Sequence, residues 1–196
     1  MDTSHIPVER HPLEPFLPPE AQLLMLGSFP PKQHRWSMDF FYPNWINDMW
    51  RIMGLLFYDD KHYFEVQGEK RFDKERIAAF CRSKGIALYD TACEVRRLKD
   101  NASDKYLEVV TATDVPALLR AMPLCHTIVT TGEKATDTLC ALLGVERPPV
   151  GGYSEGACEG RRVRLYRMPS SSRAYPMSLG DKAQSYRILF EYLHML

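Results

Sequence analysis

Short apolar or β-branched runs alternate with amphipathic helical segments along this chain, and that alternation leaves few folds open. Gln22–Leu26 is apolar and stops at Gly27, and Ile86–Tyr89, Thr127–Thr130 and Val163–Met168 read as further strands. Between them, Trp45, Ile46, Met49, Trp50, Met53 and Leu56 recur at helical spacing behind Pro43 and Asn44, a good N-cap residue. Asp73–Ser83 reads as a second helix closed by Gly85, and Asp114–Ala121 as a short third. Gly132 opens a fourth, with Ala135, Leu139, Leu142 and Leu143 on one face and Gly144 as its stop. Asp181 followed by Gln184 resembles a capping box that opens the last helix, with Tyr186, Leu189, Phe190, Leu193 and Leu196 facing the core. Right-handed crossovers would join such strands into a central, mainly parallel sheet with helices on both faces, an α/β domain of three layers.

The 196 residues are enough for one domain with a sizeable core, and no repeat, low-complexity stretch or linker divides them. Residues 1–20 are Pro-rich and polar and are expected to form an extended arm on the surface. No apolar run approaches the ~18 residues of a membrane span. The first residues lack the basic and apolar regions of a signal peptide, so a cytoplasmic protein is expected. Five cysteines, an odd number with no C-x-x-C pair, argue against a zinc site, an iron–sulfur cluster or a disulfide framework; no metal is expected. Basic and acidic residues balance at 25 each, which does not advertise nucleic-acid binding. The basic residues are nonetheless unevenly spread. Arg161 to Arg187 holds seven of them against the single acidic Asp181, which suits either a phosphate-binding patch or a solvated strand face.

Ligands of such sheets bind beyond the carboxyl ends of the strands. Gly27–Pro31, Asp90–Arg97 (the start of a polar loop over Asp90–Asp104), Thr131–Lys134 and Pro169–Arg173 all follow strands and should gather at one edge. In the first, Gly27 lets a ligand approach the backbone and the prolines stiffen the turn. Phe40, Phe41 and Tyr42 cannot all face one core, and Tyr42 is the member expected to stack on a flat ligand. Asn47 lies off the apolar helix face, and its carboxamide can read the edge of a base. Pro169, Ser170, Ser171, Ser172 and Arg173 offer N–H groups, hydroxyls and a cation to phosphates. Each segment also has an ordinary structural reading, as a turn, a core contact or a capped helix start. No spacing of Ser, His, Asp or Cys suggests a nucleophile, and no phosphate-binding glycine motif occurs.

Taken in order, these segments resemble the uracil-DNA glycosylase superfamily, and most closely its hypoxanthine-DNA glycosylase branch. Gly27-Ser28-Phe29-Pro30, then Tyr42, then Asn47-Asp48-Met49-Trp50 resemble that branch's first loop, aromatic and Asn-x-Phe-Trp. Pro169-Ser170-Ser171-Ser172-Arg173 resembles its later Pro-Ser-x-Ser-Pro loop. Ala87-Leu88-Tyr89-Asp90 with Arg97 and Asp104, and Thr130-Thr131-Gly132-Glu133-Lys134-Ala135, resemble the segments between. The likeness covers about residues 20–196. The chain departs where better known branches carry an Asp or Asn for the attacking water, since Phe29 stands there. It also has Met168 and no His before Pro169, and Arg173 in place of a proline.

The resemblance implies a monofunctional DNA glycosylase of base-excision repair, acting as a monomer and without cofactor on DNA that contains a damaged or mismatched base. Uracil or hypoxanthine would flip out, stack on Tyr42, and be held by backbone groups at Gly27, Ser28 and Phe29. Asn47 would serve catalysis, and Pro169–Arg173 would hold the strand. Two alternatives stay open: a weak or inactive nucleic-acid-binding homologue, and a hydrolase of free nucleosides or nucleotides.

Overall fold

The computed structural model describes residues 3, 5–99 and 104–196. Its elements are β1 (Val8–Arg10), β2 (Leu23–Gly27), α1 (Met49–Tyr58), α2 (Lys74–Lys84), β3 (Ile86–Asp90), β4 (Ala92–Arg97) and β5 (Leu107–Ala112), followed by α3 (Val115–Ala121), β6 (Thr127–Thr130), α4 (Glu133–Leu143), β7 (Tyr153–Cys158), β8 (Arg161–Arg167) and α5 (Leu179–Tyr192). The central sheet has the order β3-β2-β6-β8-β7. It is parallel except for β7, which pairs antiparallel with β8 across the Glu159–Gly160 turn. Every residue from Leu23 to Leu26, and from Thr127 to Thr130, is buried. Alternate side chains of a strand point to opposite faces, so both faces of these strands are covered, as a parallel sheet requires. The expected three-layer α/β architecture is the one observed.

Capping explains several helix ends. Asp73 accepts from the Arg76 N–H, Asp114 from the Ala117 N–H, and Gly85 and Gly144 close their helices in the left-handed conformation. The last helix begins earlier than Asp181, because Ser178 is its cap; the Ser178 hydroxyl accepts from the Asp181 N–H and donates to the Asp181 carboxylate. Leu142 and Leu196, expected on core faces, are exposed.

Two departures from expectation shape the site. The Asp90–Asp104 stretch is a polar loop only in part, and its residues 100–103 lie outside the described residues. Ala92–Arg97 forms β4, the middle of a second, antiparallel sheet ordered β1-β4-β5. Ala92 and Val95 bury one face with Leu107 and Phe29, while Glu94 and Arg96 on the other hide the alternation in the sequence. The N-terminal arm, expected to be extended on the surface, also carries a strand. Its described part supplies β1, and Phe16 pairs with Leu88 at the free edge of β3.

The first helix also starts later than Asn44 suggests. Asn44 instead accepts from the Ile46 N–H, and its backbone pairs with Trp36. Asn47 forms a bridge with Ser172, and the Asp48 N–H donates to the Ser171 carbonyl at 2.8 Å. Backbone groups that would begin a helix are spent on a distant loop, so α1 begins at Met49, and Ile46 is left exposed. Met49, Trp50, Met53 and Leu56 are buried as their spacing predicts. Among the described residues no helix is long and apolar enough to cross a membrane.

Candidate functional site

The loops after β2, β3, β6 and β8 open onto one crevice of about 1190 Å3. Gly27, Ser28 and Phe29, then Tyr42 and Asn47, then Thr131–Lys134, then Pro169–Ser172 all line it. Segments some 120 positions apart in sequence thus face the same space.

Gly27 ends β2 opposite Asp90. A Cβ on Gly27 would sit 2.4 Å from Asp90 Oδ1, so glycine lets the carboxylate lie there and any larger residue would make it turn. The Gly27 and Ser28 carbonyls accept from the Thr91 and Ala92 N–H groups. The N–H groups of Ser28 and Phe29 find no acceptor among the described residues, and both residues line the crevice. The Phe29 ring packs on the small second cluster and lies edge-on to His11.

Phe40 and Phe41 are buried, and Tyr42 lines the crevice against Trp50. Tyr42 holds φ of 51°, a left-handed conformation that costs a non-glycine residue of order 1–3 kcal/mol and clusters at functional sites. Its hydroxyl lies 3.3 Å from Thr131 Oγ1, and burial pushes the phenol well above its ordinary pKa, so it stays protonated.

The Asn47 carboxamide has a fixed orientation. Its Oδ1 accepts from the Met49 N–H at 2.9 Å, and its Nδ2 makes no hydrogen bond among the described residues. Beneath it, Asp48 is 6% exposed and is held by three cations. Arg173 Nε lies 3.0 Å from Oδ1, Lys182 Nζ 3.3 Å from Oδ2, and Arg51 Nη1 3.9 Å from Oδ1. Lys182 is itself buried and also donates to the Ser172 carbonyl at 2.8 Å. This knot ties the start of α1 to the 169–173 loop.

Arg173 therefore does not stand where the sequence suggested. Its side chain is half-exposed, but it caps Asp48 and is absent from the crevice wall. Most of the basic run around it is also committed to structure. Arg161 donates to the carbonyls of Leu119, Met122 and Cys125, Arg164 pairs with Glu155, and Arg167 reaches the Pro148 carbonyl. From that run Arg167 still lines the crevice, together with Lys134 and with Arg35 and Lys105, which are exposed at its rim. Pro169 is buried, and Ser170 and Ser172 hydroxyls accept from the N–H groups two residues on, which rigidifies the loop.

Two carboxylates on the wall escaped sequence reasoning as functional groups. Asp104 accepts from the Ser28 hydroxyl at 2.7 Å; burial raises its pKa, and the neighbouring Asp90 charge adds to that rise. Asp90 Oδ2 lies 2.8 Å from His11 Nε2, a ring only 2% exposed and wedged between Phe29 and Tyr89. The middle-segment likeness pointed to Asp90 and Asp104 without a role. Nothing marked His11, which sits in an irregular Pro-rich stretch with no periodicity to read.

Sheet order, layers and crevice define an α/β protein with a uracil-DNA glycosylase-like fold. The solution NMR structure of a candidate uracil DNA glycosylase from Methanosarcina acetivorans superposes with a TM-score of 0.64 at 19% identity. The match covers 95% of this chain and 99% of that one. No family model matches the chain, and no curated protein matches it.

Proposed function

We propose that this chain is a monofunctional DNA glycosylase that releases a deaminated base, uracil or hypoxanthine, from DNA. The observation that carries this reading is the donor pattern of the crevice. Asn47 Nδ2 and the N–H groups of Ser28 and Phe29 are all donors without partners among the described residues, and the three residues line one space with Tyr42. Deamination turns an exocyclic amino group into a carbonyl. A wall of donors accepts that carbonyl and leaves an amino group facing like groups, which a buried polar site rejects strongly. The same donors gain strength as negative charge develops on the departing base, and losing one such donor costs about 10²–10³ in rate.

Tyr42 supplies the stacking face, and Pro169–Ser172 with the rim cations Arg35 and Lys105 receives the strand. The test is Asn47→Ala on duplexes carrying a single uracil or hypoxanthine, with alkali treatment to reveal abasic sites. Release should fall by at least about 10²-fold while circular dichroism stays unchanged. Release at the wild-type rate removes Asn47 from the chemistry. A second reading, a nucleic-acid-binding homologue without chemistry, draws on Phe29, an apolar ring at the position where an attacking water would be handled. It predicts salt-dependent DNA binding with no abasic product.

A further inference from the structure

We propose that Asp90 is the carboxylate that activates the attacking water in this crevice, and that His11 positions it from the N-terminal arm; the inference rests on the glycosylase reading above. The first loop offers Phe29 where a polar side chain would serve, but its neighbour across the ladder fills the gap. Gly27 and Asp90 are register partners at the ends of β2 and β3, and Asp90 Oδ1 occupies the space that a Cβ on Gly27 would crowd, 2.4 Å away. The two carboxylate oxygens have different tasks. Oδ2 is engaged by His11 Nε2 at 2.8 Å, whereas Oδ1 makes no hydrogen bond among the described residues and belongs to a residue on the crevice wall.

His11 is held on both sides. Its Nδ1 contacts the Leu13 backbone at 2.9 Å, and its ring packs against Phe29, Phe41 and Tyr89. An imidazole fixed this way holds the carboxylate through Oδ2, the arrangement in which a base is aimed by a second group. The arm is thereby part of the site and not a strap beside it.

In the reaction the C1′–N bond breaks and its electron pair leaves with the base. The cationic sugar is stabilised by the Asp90 negative charge beside it. A water oxygen then bonds to C1′, one of its protons passes to Asp90 Oδ1, and the base anion takes a proton from solvent. Asp90 afterwards returns its proton to solvent.

Single-turnover release from uracil and hypoxanthine duplexes tests this. Asp90→Asn keeps the shape and should slow release by at least about 10²-fold with DNA affinity unchanged. His11→Ala should slow release at unchanged affinity, and His11→Gln, whose amide still donates to the carboxylate, should recover most of the rate. A measurement on the wild-type protein needs no variant: a duplex bearing a cationic pyrrolidine abasic mimic should bind at least about tenfold tighter than one bearing neutral tetrahydrofuran. If Asp90→Asn releases base at the wild-type rate, or the two mimics bind equally, Asp90 has no such role and the glycosylase reading stands. If the wild-type protein releases no base from any duplex, both fall.

Discussion

Lys182→Met tests whether the charge knot beneath Asn47 holds the site together. The substitution keeps most of the side-chain volume and removes the ammonium. Asp48, 6% exposed, then loses the cation on Oδ2, and the Ser172 carbonyl loses its donor. Breaking a buried pair from one side costs about 3–5 kcal/mol, because an uncompensated charge stays behind. Arg173 remains 3.0 Å away on Oδ1 but is half-exposed, and the buried Arg51, 3.9 Å away, is engaged by Glu65, so the two compensate only in part. A loss of about 3 kcal/mol is expected, and at about 2–4 °C per kcal/mol for a chain of this size the melting temperature should fall by about 6–12 °C. Thermal unfolding of Lys182→Met, Asp48→Asn and the double variant measures it. The double variant should be less destabilised than the sum of the two singles, by about 2 kcal/mol. Because the knot joins α1 to the 169–173 loop, base release should fall with stability. A loss below about 1 kcal/mol, or strict additivity of the two singles, refutes the idea that this buried pair sets the crevice geometry.

Two further outcomes can be checked on the purified protein. Gly27→Ala places a methyl group where Asp90 Oδ1 now lies, so the carboxylate must turn away from His11; release should drop at least about tenfold with a stability cost of about 1–3 kcal/mol, read by kinetics and urea unfolding. Asp104 binds its proton more tightly folded than unfolded, since burial raises its pKa above 3.8. Its penalty is absent at acid pH and appears as pH rises through the raised value, so Asp104→Asn should melt higher than wild type at pH 7, with the difference vanishing near pH 3. A constant difference across that range would show that Asp104 is not the titrating group.

The architecture was legible because it follows from local pattern. Apolar runs closed by Gly27 and Gly144, and caps at Asp73 and Asp114, depend on near neighbours in sequence and on burial of one or two faces. The segments that form the crevice could be named for the same reason, since loops after parallel strands share an edge. What each side chain does there was settled by partners far away in the chain. Ser171 and Ser172 took the backbone groups of Asn47 and Asp48 and delayed α1, Asp48 drew Arg173 off the crevice wall, and an arm with no periodicity delivered His11 to Asp90. A spacing rule reports which face a residue shares with its neighbours. It carries no information about which buried charge will find which cation, because that depends on desolvation at a point assembled only when the chain has closed on itself.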